Sequence, residues 1–410
     1  MSTMKKIRFA VCGCGQRGVM IAKSILLNLQ DVEVSAVSDP YLDKAETLAD
    51  GLREKTGLRP NVYSSYEELL DNELIDAVFI ATGWDAHIPA AVYAMEKGVA
   101  VAMEVGAVYN EQECWDLINT YEKTKTPFML MENCCYGKEE LLVTAMARAG
   151  KFGEIVYCHG AYMHDLREQV SYGELKRHYR NGEYSKYNRD NYPTHDFGPI
   201  AKLIGINRGN RMLSLSSRAS KSCGLNEYAK GKGELAYLAD RKFAQGDIVE
   251  TLITCENGEL ISLRLDTTLP TYYSREFTVR GTKGLYEQKL NMALFDGEEM
   301  DEGGRVEYII KETNNAVKYY DEFLPDIWKH ITPEMIEAGH GGMDIFEFEA
   351  FCDCLRNGKE MPIDVYDAAA WMCIAYLTGE SIAKDGASVS IPDFTRGEYK
   401  NRTMQDVIDL

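Results

Sequence analysis

The sequence predicts an α/β chain in two parts: a doubly wound parallel sheet in the N-terminal third, then an α+β part built on an open, mostly antiparallel sheet. Three observations lead there. Short apolar runs alternate with amphipathic stretches from residue 7 to about 131. A glycine-rich loop, Gly13-Cys14-Gly15-Gln16-Arg17-Gly18, follows the first of these runs directly. From about residue 155, helical spacing gives way to strand-length segments separated by tight turns.

Taken in order, residues 7–12 form a strand and about 17–29 a helix. Residues 32–37 are the next strand, with a helix beginning near Leu42. Residues 77–80 are a buried strand followed by a helix, and 99–103 and 128–131 complete the series. Parallel neighbours need a helix-length crossover, so this alternation implies a parallel sheet covered on both faces. After a helix across about 137–149, strands are expected at 155–164, 212–217, 248–255, 260–265 and 276–280. Asn257-Gly258 and Gly281-Thr282-Lys283-Gly284 read as hairpin turns among them. Residues 165–192 are rich in Tyr and Arg without periodicity, a long loop or short helices of a length often tied to function. Two amphipathic helices follow near 343–356 and 366–384, and at least one is expected to lean back on the sheet or the N-terminal domain.

Composition narrows the partners. Hydrophobic residues make up 45%, enough for real cores in a chain of 410 residues, which exceeds one typical domain. The net charge of −19 repels nucleic acid and anionic membranes, so neither is an expected partner. No apolar run approaches the roughly 20 residues of a membrane span. The N-terminal segment Met1–Arg8 enters a strand at once, with no apolar core before a cleavage site, so no export signal is read. The 11 cysteines follow no regular framework and read as reduced thiols, which points to the cytoplasm. The seven histidines are scattered and no Cys/His spacing suits zinc, so no metal is expected.

The glycine loop carries the first chemical assignment. Gly13 makes the tight turn, Gly15 lets the backbone approach a pyrophosphate, and Gly18 allows the helix to pack on the strand. Asp39 ends the second strand about 20 residues on, where a carboxylate accepts adenosine ribose hydroxyls and repels a 2′-phosphate. The cofactor expected is therefore NAD in a Rossmann domain, assigned to residues 1–135. Residues 136–410 are assigned to an α+β domain for substrate binding and oligomerisation. The segments Ala81–His87 and Glu104-Val105-Gly106 follow strands at the carboxyl edge where ligands sit. Trp84 and His87 are read there as cofactor contacts, against packing or capping as the plainer roles.

With these features the chain resembles the Gfo/Idh/MocA oxidoreductase superfamily. Most members read Glu-Lys-Pro where this chain has Glu104-Val105-Gly106. Within the superfamily it is most similar to glycoside hydrolase family 109, described for α-N-acetylgalactosaminidase, which also has valine at that place. The likeness is carried by Met131-Glu132-Asn133 through Tyr136-Gly137, by Tyr192-Pro193-Thr194-His195 and by Gly198-Pro199-Ile200-Ala201. Tyr273-Ser274-Arg275, Gly339 through Asp344 and Pro392 through Gly397 extend it to the C-terminal end. The resemblance implies NAD contacts at Arg17, Gly18, Asp39, Trp84, His87, Glu104, Val105 and Asn133. It implies substrate contacts at Tyr162, Arg180, Tyr192, Thr194, His195 and Tyr273. The loop around Arg180 departs from the family pattern, which leaves Arg177 or Arg189 as replacements.

The resemblance also implies a redox route to glycoside hydrolysis. C3 of the sugar is oxidised by NAD, the C2 proton becomes acidic, the C1 substituent leaves, water adds, and NADH reduces C3 again. Tyr136, just past the last parallel strand, is the candidate base for C2, which needs a depressed phenol pKa or a strong hydrogen bond. His195 is the candidate acceptor of the C3 hydroxyl proton. The plainer readings are packing for Tyr136 and a cap or structural hydrogen bond for His195. His340 reads as structural, with a role in a substrate loop as the lesser alternative; His159 and His164 lie on one strand with many possible partners, and His164 shares its face with Tyr162, where it could line the pocket. The substrate expected is a small carbohydrate or glycoside, and a homo-oligomer, dimer or tetramer, is the expected assembly. Two other readings stand beside the hydrolase: an NAD-dependent sugar or cyclitol dehydrogenase with net oxidation, and a non-catalytic NAD-binding sensor.

Overall fold

A computed structural model describes residues 6–298 and 306–410; the first five residues, part of the segment read for an export signal, lie outside the described residues. Six strands build the first sheet: β1 (Ile7–Cys12), β2 (Val32–Ser38), β3 (Asn61–Tyr63), β4 (Ala77–Ile80), β5 (Ala100–Glu104) and β6 (Phe128–Met131). They pair in parallel throughout, in the order β3-β2-β1-β4-β5-β6. That is the Rossmann order, in which the chain reverses direction across the sheet at β1 and β4 and opens a crevice beyond their carboxyl ends. β4, β5 and β6 are buried along their whole length, as strands covered on both faces must be. β3 has no counterpart among the apolar runs, because its three residues are all partly exposed. The first helical stretch runs from Gln16 to Asn28 with a widened turn across Ile21–Ile25.

Eight strands build the second sheet: β7 (Ile155–Met163), β8 (Met212–Ala219), β9 (Ile248–Cys255), β10 (Leu260–Asp266), β11 (Thr278–Gly281), β12 (Gly284–Glu287), β13 (Met292–Phe295) and β14 (Val389–Ser390). Their order is β13-β12-β11-β7-β10-β9-β8-β14. Every pair is antiparallel except β7 with β10. The two hairpin turns expected at 257–258 and 281–284 join β9 to β10 and β11 to β12. On β9, Val249, Thr251, Ile253 and Cys255 are buried while Glu250, Leu252 and Thr254 are exposed, the alternation of a sheet with one open face. Short helices at Arg167–Ser171 and Arg180–Lys186 occupy the Tyr- and Arg-rich segment.

The chain divides into two compact units, residues 1–136 with 331–373, and residues 137–330 with 374–410. This differs from a single cut after 135 by the segment 331–373, and side-chain packing explains it. The helix Met343–Asn357 lays Phe351 against Phe9 of β1 and Phe348 against Phe79 of β4, with ring centroids 5.8 and 5.3 Å apart. Such aromatic pairs add about 0.5–1.5 kcal/mol each beyond the area they bury. The helix Val365–Ala383 continues from the first unit into the second. Among the described residues no helix is long and apolar enough to cross a membrane.

Candidate active site

In the first unit, steric demands explain the glycine loop residue by residue. Gly13 has φ +98°, and a Cβ there would collide with the Ala81 carbonyl oxygen. A Cβ on Gly18 would collide with the Gly13 carbonyl oxygen and stand 3.5 Å from Val11 of β1, so the helix can approach the strand only without a side chain. Gly15 differs: a Cβ there would meet nothing within 4 Å. Its backbone stands at the start of the helix beginning at Gln16, with no side-chain cap. Free amides at a helix start, facing open space, are the cradle a pyrophosphate requires. Asp39 holds this loop in shape, its carboxylate accepting from Cys14 N at 2.8 Å and Tyr41 N at 2.8 Å. Each carboxylate oxygen retains a further lone pair for a ribose hydroxyl. The residues present fit a dinucleotide.

Two of the residues expected around the cofactor, Arg17 and Asn133, converge on an acid, Asp344, that was given no role from the sequence. Arg17 pairs with Glu104 through Nε at 2.6 Å and grips Asp344 with both terminal nitrogens, at 2.7 and 2.9 Å. Asn133 Nδ2 donates to the same Asp344 carboxylate at 2.7 Å, and His340 Nδ1 lies 2.8 Å from it. Burial alone would raise the Asp344 carboxyl, but the Arg17 charge and the His340 hydrogen bond hold it well below the usual carboxylate range. His340 Nδ1 also lies 3.0 Å from Arg17 Nη1. Gly339 is required beside it, because a Cβ would strike Asp344 Oδ2.

Glu347, one helical turn beyond Asp344, has the opposite state. It is fully buried, neither carboxyl oxygen has a hydrogen-bond partner, and burial together with the Asp344 and Glu104 charges pushes its pKa well up. Tyr136 is also fully buried, and burial followed by the Glu347 charge pushes its phenol well above the ordinary value. The depressed phenol that a base needs is thus absent from the protein alone, for the plain reason that the ring sits among apolar atoms and acids. Trp84 and His87 lie side by side, since a Cβ on Gly106 would meet both rings. His87 Nε2 is 3.2 Å from the Thr82 carbonyl, and burial lowers its pKa to about 4, so the ring is neutral. Val105 is buried next to Glu104.

In the second unit the expected substrate residues form one aromatic cluster. Gly160 of β7 sets it up: a Cβ there would stand 2.6 Å from the Asp196 carbonyl oxygen, so the helix Thr194–Leu203 rests directly on the strand. This contact lays His195 against Tyr162, with ring centroids 5.3 Å apart. Tyr192 is 4.8 Å from both rings. Tyr162 Oη lies 3.1 Å from His164 Nδ1, and Tyr273 closes the cluster at 5.2 Å from His164 and 6.4 Å from Tyr162. The loop carrying Tyr273 is held to β7 by paired backbone bonds between Met163 and Ser274, 3.0 and 3.1 Å long. Arg180 is buried with its guanidinium 5.1 Å from the Tyr192 ring and Nη1 on Gln169 at 2.9 Å. Arg189 pairs with Glu183 at 3.0 Å, and Arg177 is exposed. Thr194 is buried at the start of its helix. His159 faces the other side of the sheet, bound to Ser262 at 3.0 Å and Glu276 at 3.1 Å.

The residues that sequence reasoning passed over are Asp344, Glu347, Glu140 and Arg275. Arg275 Nε donates to the buried Glu140 at 2.8 Å, across 135 positions of sequence. Asp344 and Arg275 both lie inside segments that carried the family resemblance, which was the only available signal. Pairs this far apart leave no local pattern.

Residues 136–401 match the family model described as Glycosyl hydrolase 109, C-terminal domain. Residues 7–131 match that described as Oxidoreductase family, NAD-binding Rossmann fold. A glycosyl hydrolase family 109 protein of Stenotrophomonas maltophilia (strain K279a) is 37% identical, over 97% of this chain and 91% of that protein. An alpha-N-acetylgalactosaminidase of Tannerella forsythia is 36% identical, over 97% and 88% respectively. Among solved structures, the myo-inositol 2-dehydrogenase of Lactobacillus plantarum superposes with a TM-score of 0.67 at 17% identity, covering 95% of this chain and all of that one, which shows a shared fold. The chain belongs to glycosyl hydrolase family 109 and to the wider group of proteins with the Gfo/Idh/MocA NAD-binding domain.

Proposed function

We propose that the chain is a glycoside hydrolase that keeps NAD tightly bound and uses it within each turnover, acting on α-N-acetylgalactosaminides or a related glycoside. One observation carries the reading: a chain matched to this hydrolase family over 136–401 also retains a glycine cradle built for a dinucleotide. Direct glycoside cleavage would need two carboxylates flanking the bond and would leave that cradle without a purpose.

Bound NAD supplies a reversible two-electron acceptor for C3 of the sugar, making C3 a ketone and restoring the alcohol before release. His195 takes the C3 hydroxyl proton and later returns it. Tyr162 and Tyr192, packed on His195, fix its ring and offer faces to the sugar. With C3 a carbonyl, Tyr136 removes the C2 proton while the C1 substituent leaves with its bonding pair. Water then adds at C1 of the enone, and the proton returns to C2. Burial pushes the Tyr136 phenol up in the protein alone, so its work as the C2 base requires that binding change its surroundings. Asp344 and Glu104 hold Arg17 at the glycine loop, where it steadies the cradle. Localisation in the cytoplasm and assembly as a dimer or tetramer belong to the same proposal, resting on the buried free thiols and on the open face of the second sheet.

The test is a panel of nitrophenyl glycosides of several sugars in both anomers, followed for nitrophenolate and for reduced nicotinamide together. Nitrophenolate release with no build-up of NADH supports the hydrolase. NADH formed in step with substrate consumption would make the chain a dehydrogenase, and activity on none would favour the sensor.

A further inference from the structure

Glu347 is a buried acid that the reaction described above leaves idle. Its side chain has no exposed surface, and neither carboxyl oxygen has a hydrogen-bond partner. Buried polar atoms are paired in the great majority of cases, so a carboxyl left with none calls for a reason. Asp344, three residues earlier on the same helix face, shows the contrast: it meets Arg17, Asn133 and His340. Burying a carboxyl without partners costs stability, and nothing within the fold offsets that cost.

Its place in the first unit supplies the reason. The helix Met343–Asn357 packs on the turn Asn133–Tyr136 that follows β6. There the Glu347 charge acts on the Tyr136 phenol more strongly than the Cys135 and Cys354 thiols do. The charged groups facing Glu347 itself are Asp344 on its own helix, Glu104 at the end of β5, Arg17 beside the glycine loop and Glu132 after β6. Three acids against one cation strengthen it as a base, in the same sense as its burial. The phenol has the complementary difficulty: it is fully buried, and burial opposes a phenolate. A tyrosine can still remove a proton without carrying the charge, provided its own proton leaves on the other side in the same step. That requires an adjacent base with no other partner to give up, and Glu347 is one.

We propose that Glu347 is the far end of a proton relay: as Tyr136 Oη takes the proton from C2, the phenol passes its own proton to the Glu347 carboxylate. The C–H electron pair becomes the C1–C2 double bond, and the C1 substituent leaves with its bonding pair. Water then adds its hydroxide at C1, and the proton it releases neutralises the leaving group. Glu347 returns its proton to the phenol as the phenol delivers one to C2, so both groups end as they began. Water entering for C1 exchanges the two hydroxyl protons, which puts solvent hydrogen at C2. No free phenolate forms, which reconciles a buried tyrosine with work as a base. Glu347 touches no reacting atom; it acts through the phenol, as a positioning residue that stores one proton. This rests on the hydrolase reading given above.

The experiment uses the full protein with its retained nucleotide and the nitrophenyl glycoside that the parent protein cleaves fastest, in deuterated water. Rapid mixing follows the formation of reduced nicotinamide, and NMR of the products follows deuterium at C2. Glu347→Gln and Glu347→Met both remove an acid that has no partners, so both should fold with an unchanged or raised melting temperature. In each, reduced nicotinamide should form at the parent's rate while cleavage and C2 exchange fall about a hundredfold. The relay starts from the ionised carboxylate, so cleavage by the parent should rise with pH and level off above the ordinary carboxylate range, and Glu347→Gln should abolish that rise. Exchange at the parent's rate in either variant would overturn the relay. Equal losses of nicotinamide reduction and exchange, the mark of a distorted site, would overturn it as well. If the parent cleaves no glycoside, the hydrolase reading fails, and infrared spectroscopy decides whether the two groups share a proton. A carboxyl band that Glu347→Gln removes and Tyr136→Phe shifts keeps the pair; a band that Tyr136→Phe leaves in place ends it.

Discussion

The site residues of the first unit hold one another by charge, and those of the second by contact between rings. Around Asp344, a buried acid meets two nitrogens of Arg17, the amide of Asn133 and the ring of His340, and the geometry has little freedom. Around Tyr162, by contrast, Tyr192, His195 and Tyr273 meet at 4.8 to 6.4 Å by edges and tilted faces, and Tyr273 is half exposed. A cofactor that stays bound needs a cradle with one shape. A substrate that enters and leaves is served by surfaces that tolerate small shifts. Substitutions should therefore cost stability in the first region and affinity in the second.

The largest effect is expected at Asp344. Asp344→Ala leaves Arg17 with Glu104 and His340 only and removes the acceptor of Asn133, a loss of about 3–5 kcal/mol by the rule for breaking a buried pair. Thermal unfolding with and without added NAD reads it, and a change in melting temperature too small to detect would contradict the account. The glycines divide the first region further. Gly13→Ala forces a side chain into the Ala81 carbonyl and should cost about 2 kcal/mol or more of stability. Gly15→Ala enters open space and should leave the fold within about 0.5 kcal/mol while reducing retained nucleotide. Equal effects of the two on nucleotide and on stability would show that Gly15 is not at the cradle. In the second region, Tyr273→Ala should leave stability within about 0.5 kcal/mol and raise KM about tenfold with little change in kcat.

The smallest effect concerns pH, and it has opposite signs in the two regions. Asp344 is held below its ordinary pKa, so its contribution is present above the unfolded value near 3.8 and is lost as the pH falls towards the depressed one. Asp190 anchors the Tyr192 backbone at 3.2 Å and is pushed up to about 7 by burial. Its contribution is present below the unfolded pKa of 3.8 and fades as the pH rises through about 7. Asp190→Asn should therefore flatten the decline in melting temperature between roughly pH 4 and 7. An unchanged slope would show that Asp190 is ionised in the folded protein.

Much of this was legible in the sequence, for reasons that differ by element. The parallel strands show because they are buried on both faces and read as unbroken apolar runs, whereas β3, short and half exposed, does not. The glycine loop is legible because its demands are local: a turn, a helix start and a strand behind it. The aromatic cluster could be anticipated only through resemblance, since Tyr162, His195 and Tyr273 come from three distant segments. The Asp344 network and the Glu140–Arg275 pair were out of reach, as each depends on residues brought together from 135 to 327 positions apart. The state of Tyr136 was also beyond sequence, because it depends on what surrounds the ring.

The central claim is that NAD is reduced and restored within one hydrolytic turnover, with Tyr136 handling the C2 proton. Hydrolysis of a nitrophenyl glycoside in deuterated water, with the product sugar analysed by NMR, tests it most directly. The account predicts deuterium at C2 of the product, no net NADH, and loss of both exchange and hydrolysis in Tyr136→Phe. Hydrolysis that leaves the original hydrogen at C2, or exchange undiminished in Tyr136→Phe, would contradict it.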